Sequence, residues 1–173
     1  MNIHAGLLML LLLSLALIAY QDFKHRSVPI YIFILACCFS ILIQYQQCGF
    51  NEAFFLQVFL NFSFIVLNVA VVYIYIKRIK KIAVSQAIGL GDLVFYGVLI
   101  PVLSTPVFVY FHLLSLILIL ISYPFLKNIL SFKTRAIPLA GLQALCLLIC
   151  LIVFETKIIN KSIIGTCSIM DWI

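Results

Sequence analysis

Six long apolar runs, separated by short polar stretches, decide what this chain can become. They cover roughly 4–21, 28–45, 54–76, 90–105, 106–126 and 137–155. A helix of about 20 apolar residues crosses the hydrocarbon of a bilayer. The pattern therefore predicts an all-α, polytopic membrane protein: one integral-membrane domain over 1–173 with six transmembrane helices. The runs are continuous rather than alternating, which excludes a closed β-barrel. With 66% hydrophobic residues, 9% charged residues and a mean hydropathy of +1.28, the chain has too few charges to cover a water-soluble core. The fourth run is the shortest and contains Pro101, which predicts a kink or a start inside a loop at membrane depth. The stretch 6–20 resembles the apolar part of a signal peptide. It has no basic region before it and no small-residue cleavage site after it, so it reads as a retained helix.

The net charge of +6 raises the question of nucleic acid, and its distribution answers it. Lys24 and Arg26 follow the first run, Lys77, Arg78, Lys80 and Lys81 the third, and Lys127, Lys133 and Arg135 the fifth. These are nine of the eleven basic residues, and alternation of the spans puts all nine on one side. Only Lys157 and Lys161 fall on the other. By the positive-inside rule the three basic loops are cytoplasmic and both termini lie outside. The 77–81 cluster is assigned to anionic lipid, an attraction worth about 1 kcal/mol per basic residue. Membrane lipid is thus an expected partner, and nucleic acid is not.

The remaining stretches carry little chemistry. The outer loops, 46–53 and 104–106, are short. The 156–173 tail, with Trp172, is too short to span and reads as interfacial. Cys37, Cys38, Cys146 and Cys150 lie inside spans, where a thiol is a small hydrophobe. Cys48 and Cys167 both fall outside and pair only if that compartment is oxidising; two free thiols is the simpler reading. No cysteine spacing suits a metal, and no cofactor is expected. Gln57, Asn61 and Asn68 share one face of the third span. They either line a hydrated cavity or, as the simpler reading has it, bond neighbouring helices for on the order of 1 kcal/mol each. His112 is expected near the outer side, far from the chemistry, in a structural hydrogen bond. His25 is given no catalytic role. Glu52, Glu155 and Asp171 read as solvated loop residues.

Two acidic residues remain, Asp22 at the end of the first span and Asp92 at the start of the fourth. Both fall at the cytoplasmic membrane edge by charge counting alone. A carboxylate at the rim of hydrocarbon is expensive and is a candidate functional group by default. Asp92 ends Gly89-Leu90-Gly91-Asp92, where the two glycines suggest a flexible turn able to swing the carboxylate into place. Taken alone, that tetrapeptide reads equally as a helix start with Asp92 as its cap. Asp22 opens Asp22-Phe23-Lys24-His25-Arg26-Ser27-Val28-Pro29. Taken alone, it is a helix-end residue paired with Arg26, with Pro29 near the first turn of the next helix.

Together the two segments resemble the type IV prepilin peptidases, membrane aspartic proteases of the Gly-x-Gly-Asp class. That family's first motif, an Asp, a basic residue four later and Ile/Val-Pro-Asn, is matched by Asp22, Arg26 and Val28-Pro29, with Ile30 in place of Asn. Its second, Gly-x-Gly-Asp-x-Lys, is matched by Gly89-Leu90-Gly91-Asp92-Leu93, with Val94 in place of Lys. A weaker echo is Ile137-Pro138-Leu139-Ala140, followed by Gly141 where family members often have Pro. The chain lacks the family's insert between the first two helices, so the likeness is to the short members without N-methyltransferase activity.

The resemblance implies an enzyme of the bacterial or archaeal cytoplasmic (inner) membrane. It would remove the basic leader of type IV prepilin-like proteins at the cytoplasmic face. Asp22 and Asp92 would be catalytic, with Gly89, Gly91, Arg26 and Pro29 in support, and with no metal or cofactor. Two close carboxylates do not both ionise easily, so one stays protonated near neutral pH. The rival reading is a non-enzymatic transporter or assembly subunit, in which Asp22 and Asp92 pair with Arg26 and Lys81 or bind a proton or cation.

Overall fold

The computed structural model describes residues 3–80, 89–130 and 139–156. Among them the protein is all-helical: α1 (Ile3–His25), α2 (Ile30–Cys48), α3 (Glu52–Tyr75), α4 (Leu90–Val102), α5 (Thr105–Leu130) and α6 (Leu139–Thr156). A wider π-type turn over Ile76–Lys80 continues α3. Four helices, α1, α2, α3 and α5, are long and apolar enough to cross a membrane. The expected tail, Lys81, the 131–135 basic residues and Cys167 lie outside the described residues.

Six helices are found among the described residues, and the fourth, expected to be the shortest, is too short for a full span. Its 13 residues rise only about 20 Å, against a hydrocarbon thickness of about 30 Å. Pro101 lies in its last turn, and the chain leaves the helix at Leu103. Neighbouring helices satisfy what this early ending exposes. Pro101 has no N–H for the carbonyl of Gly97, one turn back, and the Cys37 thiol of α2 donates to that oxygen instead, at 3.4 Å. Gln57 Nε2 donates to Leu103 O at 3.0 Å and Asn61 Nδ2 to the same oxygen at 2.9 Å, with a further bond to Ile100 O at 3.0 Å. The simpler reading of these two amides, as links between helices, therefore holds. Asn68 differs: its Nδ2 bonds Phe64 O within α3, at 2.8 Å. Cys37 is correspondingly more than the small hydrophobe expected.

α4 is the central helix, packed on α2, α3 and α6, while α1 lies against both α2 and α6. Phe95, Val98 and Leu99 of α4 are fully buried, as are Leu15 and Ile18 of α1, Ala36 of α2 and Ala144 and Leu147 of α6. The buried residues of α1, Leu8, Leu11, Leu15, Ile18 and Ala19, recur every three or four positions and form one stripe. Large apolar side chains on the outer faces, such as Met9, Phe59, Leu67 and Leu120, are more than half exposed. In water such a surface drives aggregation; against lipid it is the ordinary exterior, and packing rather than water exclusion holds the helices together.

Only residues 26–29 separate α1 from α2. Arg26 stops α1 by adopting a left-handed backbone (φ 56°), and its N–H returns to Asp22 O at 3.1 Å. This is the helix-ending geometry that glycine usually supplies, held here by a residue with a side chain. Pro29, extended at φ −60° and ψ 135°, is the residue on which α2 starts.

Candidate active site

Asp22, in the last turn of α1, and Asp92, in the first turn of α4, converge on the first turn of α6. The amide of Gly141 donates to Asp22 Oδ2 at 2.7 Å. The amide of Ala140 donates to Asp92 Oδ1 at 2.8 Å. Consecutive helical amide nitrogens are about 3 Å apart, so these two oxygens lie within about 9 Å of each other. Each carboxylate is thus within reach of the other's charge.

The local sequence explains why α6 receives them. The first N–H groups of a helix have no partner within it, and a polar N-cap side chain normally serves one of them. In the sequence Ile137 and Pro138 come just before Leu139, and neither side chain carries an oxygen. Asp22 and Asp92 accept these bonds from two other helices, and the positive end of the α6 dipole favours negative charge at that point.

Two glycines make the approach possible. A Cβ on Gly141 would sit 2.8 Å from Asp22 Cβ and 2.8 Å from its Oδ2. Because Cβ is fixed to the α1 backbone, a side chain here forces α6 away from α1. A Cβ on Gly89 would sit 2.8 Å from Asp92 Oδ2, a contact the carboxylate can escape only by turning. The expected flexible turn over 89–91 is not found. Gly89 alone is extended (φ −72°, ψ 132°), the helix begins at Leu90, and a Cβ on Gly91 would meet nothing within 4 Å. The Asp92 carboxylate folds back toward the Gly89 amide, as an acidic residue at the third helical position does in a capping box.

Arg26 is half-buried and its charge acts on Asp22. Pro29 is the residue on which α2 starts.

Two further residues, Tyr96 and His112, lie near the site and were not assigned to it from the sequence. A cavity of about 200 Å³ beside Asp92 is lined by Asn68, Tyr96, His112 and Leu139 as well as aliphatic side chains of α3 and α5. Tyr96, one turn after Asp92, was legible from its spacing. His112 is a correction. It is not far from the aspartates, because α4 is short and α5 begins at Thr105. Two turns into α5 the chain has returned to the depth of Tyr96, and the two rings lie 5.4 Å apart. Nor does its ring make the expected structural hydrogen bond, for Nδ1 has no partner among the described residues. No group of three potential metal ligands occurs among the described residues.

The fold and site define a helical membrane protein with a pair of carboxylates gathered on one helix terminus, an arrangement able to polarise a water molecule and protonate a neighbouring oxygen. The chain belongs to the type IV leader peptidase family, whose model matches residues 9–124. That stretch contains both Asp22 and Asp92 and ends before α6. No curated protein and no solved structure matches the chain.

Proposed function

We propose that this protein is a membrane aspartic endopeptidase that removes the basic leader of type IV prepilin-like proteins. Family membership supports a leader-peptidase role in general. The observation that carries the finer reading is the pair of hydrogen bonds that bring Asp22 and Asp92 onto adjacent amides. With one carboxylate ionised and the other protonated, the ionised member takes a proton from water, which attacks the scissile carbonyl. The protonated member donates to the carbonyl oxygen, and collapse of the tetrahedral intermediate releases the new amine. The pair titrates as a unit, so the two roles belong to the dyad.

Charge counting supports a site at the cytoplasmic edge of the cytoplasmic membrane, with all six helices in one bilayer-embedded domain over 1–173 and both termini outside. The rival reading, a transporter or assembly subunit, draws on the charge of Arg26 beside Asp22. Co-expression with a pilin-like protein separates them. Cleavage that is lost in both Asp22→Asn and Asp92→Asn supports the peptidase; cleavage unaffected by either sinks it.

A further inference from the structure

The two amides that gather the carboxylates can do so only while α6 keeps its height and rotation, and its neighbours hold it unevenly. Against α1 it packs closely. Toward α5 a cavity of about 320 Å³ parts the two helices, lined by Phe111, Leu114 and Leu118 of α5 and by Cys146, Leu147 and Cys150 of α6. Apolar contact is non-directional, so packing on α1 alone leaves α6 able to slide or turn by small amounts.

A polar bond crosses to α5 at the edge of that gap. Gln143, fully buried and one turn before Cys146, donates from Nε2 to Ser115 Oγ at 3.4 Å. Ser115 also lines the cavity. Its hydroxyl gives its one proton to His112 O at 3.0 Å, so it offers Gln143 a lone pair, and the amide arrives as donor. Side chains on a helix lean toward its N-terminus, and Gln143 stands two residues after Gly141 and three after Ala140. The tie therefore acts on the turn that carries both donor amides.

Stability alone does not account for a glutamine at this point. Its Oε1 is buried without a partner among the described residues, and an unpaired buried amide oxygen is unfavourable. Methionine has nearly the same length and no such atom, and replacing both partners of a buried hydrogen bond by apolar groups is nearly neutral or stabilising. A local choice that works against stability points to a functional constraint.

We infer that Gln143 is a positioning residue: its bond to Ser115 sets the height and rotation at which Ala140 and Gly141 present their amides to Asp92 and Asp22. The consequence for rate rests on the peptidase reading. Gln143 acts through α6 and takes no part in the proton transfers.

The test reads geometry and rate separately, on the purified full-length protein in detergent micelles. Seven glycines give a sparse ¹⁵N-glycine spectrum. The Gly141 amide proton, bonded to Asp22 Oδ2, should lie downfield, as a proton donated to a carboxylate does, and is identified by its loss in Gly141→Ala. In Gln143→Met it should move upfield. With a pilin-like substrate, Gln143→Met should lower kcat about tenfold through misplacement of the dyad and leave KM within about twofold. Its melting temperature should equal or exceed that of wild type. Ser115→Ala should lower kcat alike, and Gln143→Met/Ser115→Ala should be no slower than either single variant, since the two share one interaction. An unmoved Gly141 amide in Gln143→Met, an unchanged kcat, or losses that multiply in the double variant overturn the tie and leave the peptidase standing. A melting temperature that falls together with kcat in Gln143→Met reduces Gln143 to a structural role and overturns the inference as well. Wild type that cleaves no leader, with a Gly141 amide that moves in Gln143→Met, supports the tie and overturns the peptidase.

Discussion

Ala140 and Gly141 are neighbours on one helix, yet each amide holds a carboxylate from a different helix, Asp92 from α4 and Asp22 from α1. The separation of the two acids is therefore set by a single peptide unit of α6 rather than by the ends of α1 and α4 alone.

If the pair works as a dyad, Asp22→Asn and Asp92→Asn should each lower cleavage by about 10²–10⁴-fold, the range for loss of a general acid or base. Asn can still accept the α6 amide bond, so thermal stability in detergent should change little. An Asn variant that folds and retains more than a tenth of wild-type cleavage would remove that residue from the chemistry. The exposed Glu52 is the control, and Glu52→Gln should cleave normally.

The three glycines around the site should behave differently. Gly91→Ala meets open space within a helix, so it should stabilise by up to about 1 kcal/mol and leave cleavage intact. Gly141→Ala must displace α6 from Asp22, and a misplacement approaching 1 Å costs on the order of 10²-fold in rate. Gly89→Ala should fall between, since the Asp92 carboxylate can turn aside. Rates and melting temperatures of the three variants, measured side by side, check the ranking. Loss of activity in Gly91→Ala alone would restore the flexible turn as the working part.

Gln57 and Asn61 share the carbonyl of Leu103. Asn61→Leu should destabilise by about 1–2 kcal/mol, the cost of leaving buried polar groups unpaired. Residues on a shared acceptor are coupled, so the Gln57→Leu/Asn61→Leu pair should cost more than the sum of the single changes. Denaturation in mixed micelles reads this directly, and strict additivity would mean that Leu103 finds another donor.

Labelling of single cysteines from each side of the membrane tests the orientation. Cysteines placed in the 77–89 and 127–135 loops should react from the cytoplasm, and Cys48 and Cys167 from outside. A cytoplasmic Cys48 would overturn the arrangement of the first two helices.

Much of this architecture could be read from residue order, because apolar runs and scarce acids are signals carried by single positions. The helices follow the runs, and Asp22 and Asp92 stand out since three other acids are all that the chain contains. What escaped was relational. The early end of α4 is supported by Gln57, Asn61 and Cys37 from other helices, so Pro101 alone suggested a kink or a start inside a loop rather than an early end. The depth of His112 followed from that shortening and was misjudged with it. The donors of the site are backbone amides, which no residue code announces, and Gly141 draws notice only once Asp22 is found against it. Gly91, conspicuous beside Asp92, proved to be an ordinary helical residue, while Gly89 marks the actual bend.

The chain emerges from the ribosome with α6 behind the other five helices. A nascent protein that has inserted α1 to α5 already carries both aspartates but lacks the amides that gather them and the surface on which α1 packs. Until that last segment arrives the two acids have no common anchor. The order of synthesis therefore withholds the shared anchor from the two aspartates until the last helix is made.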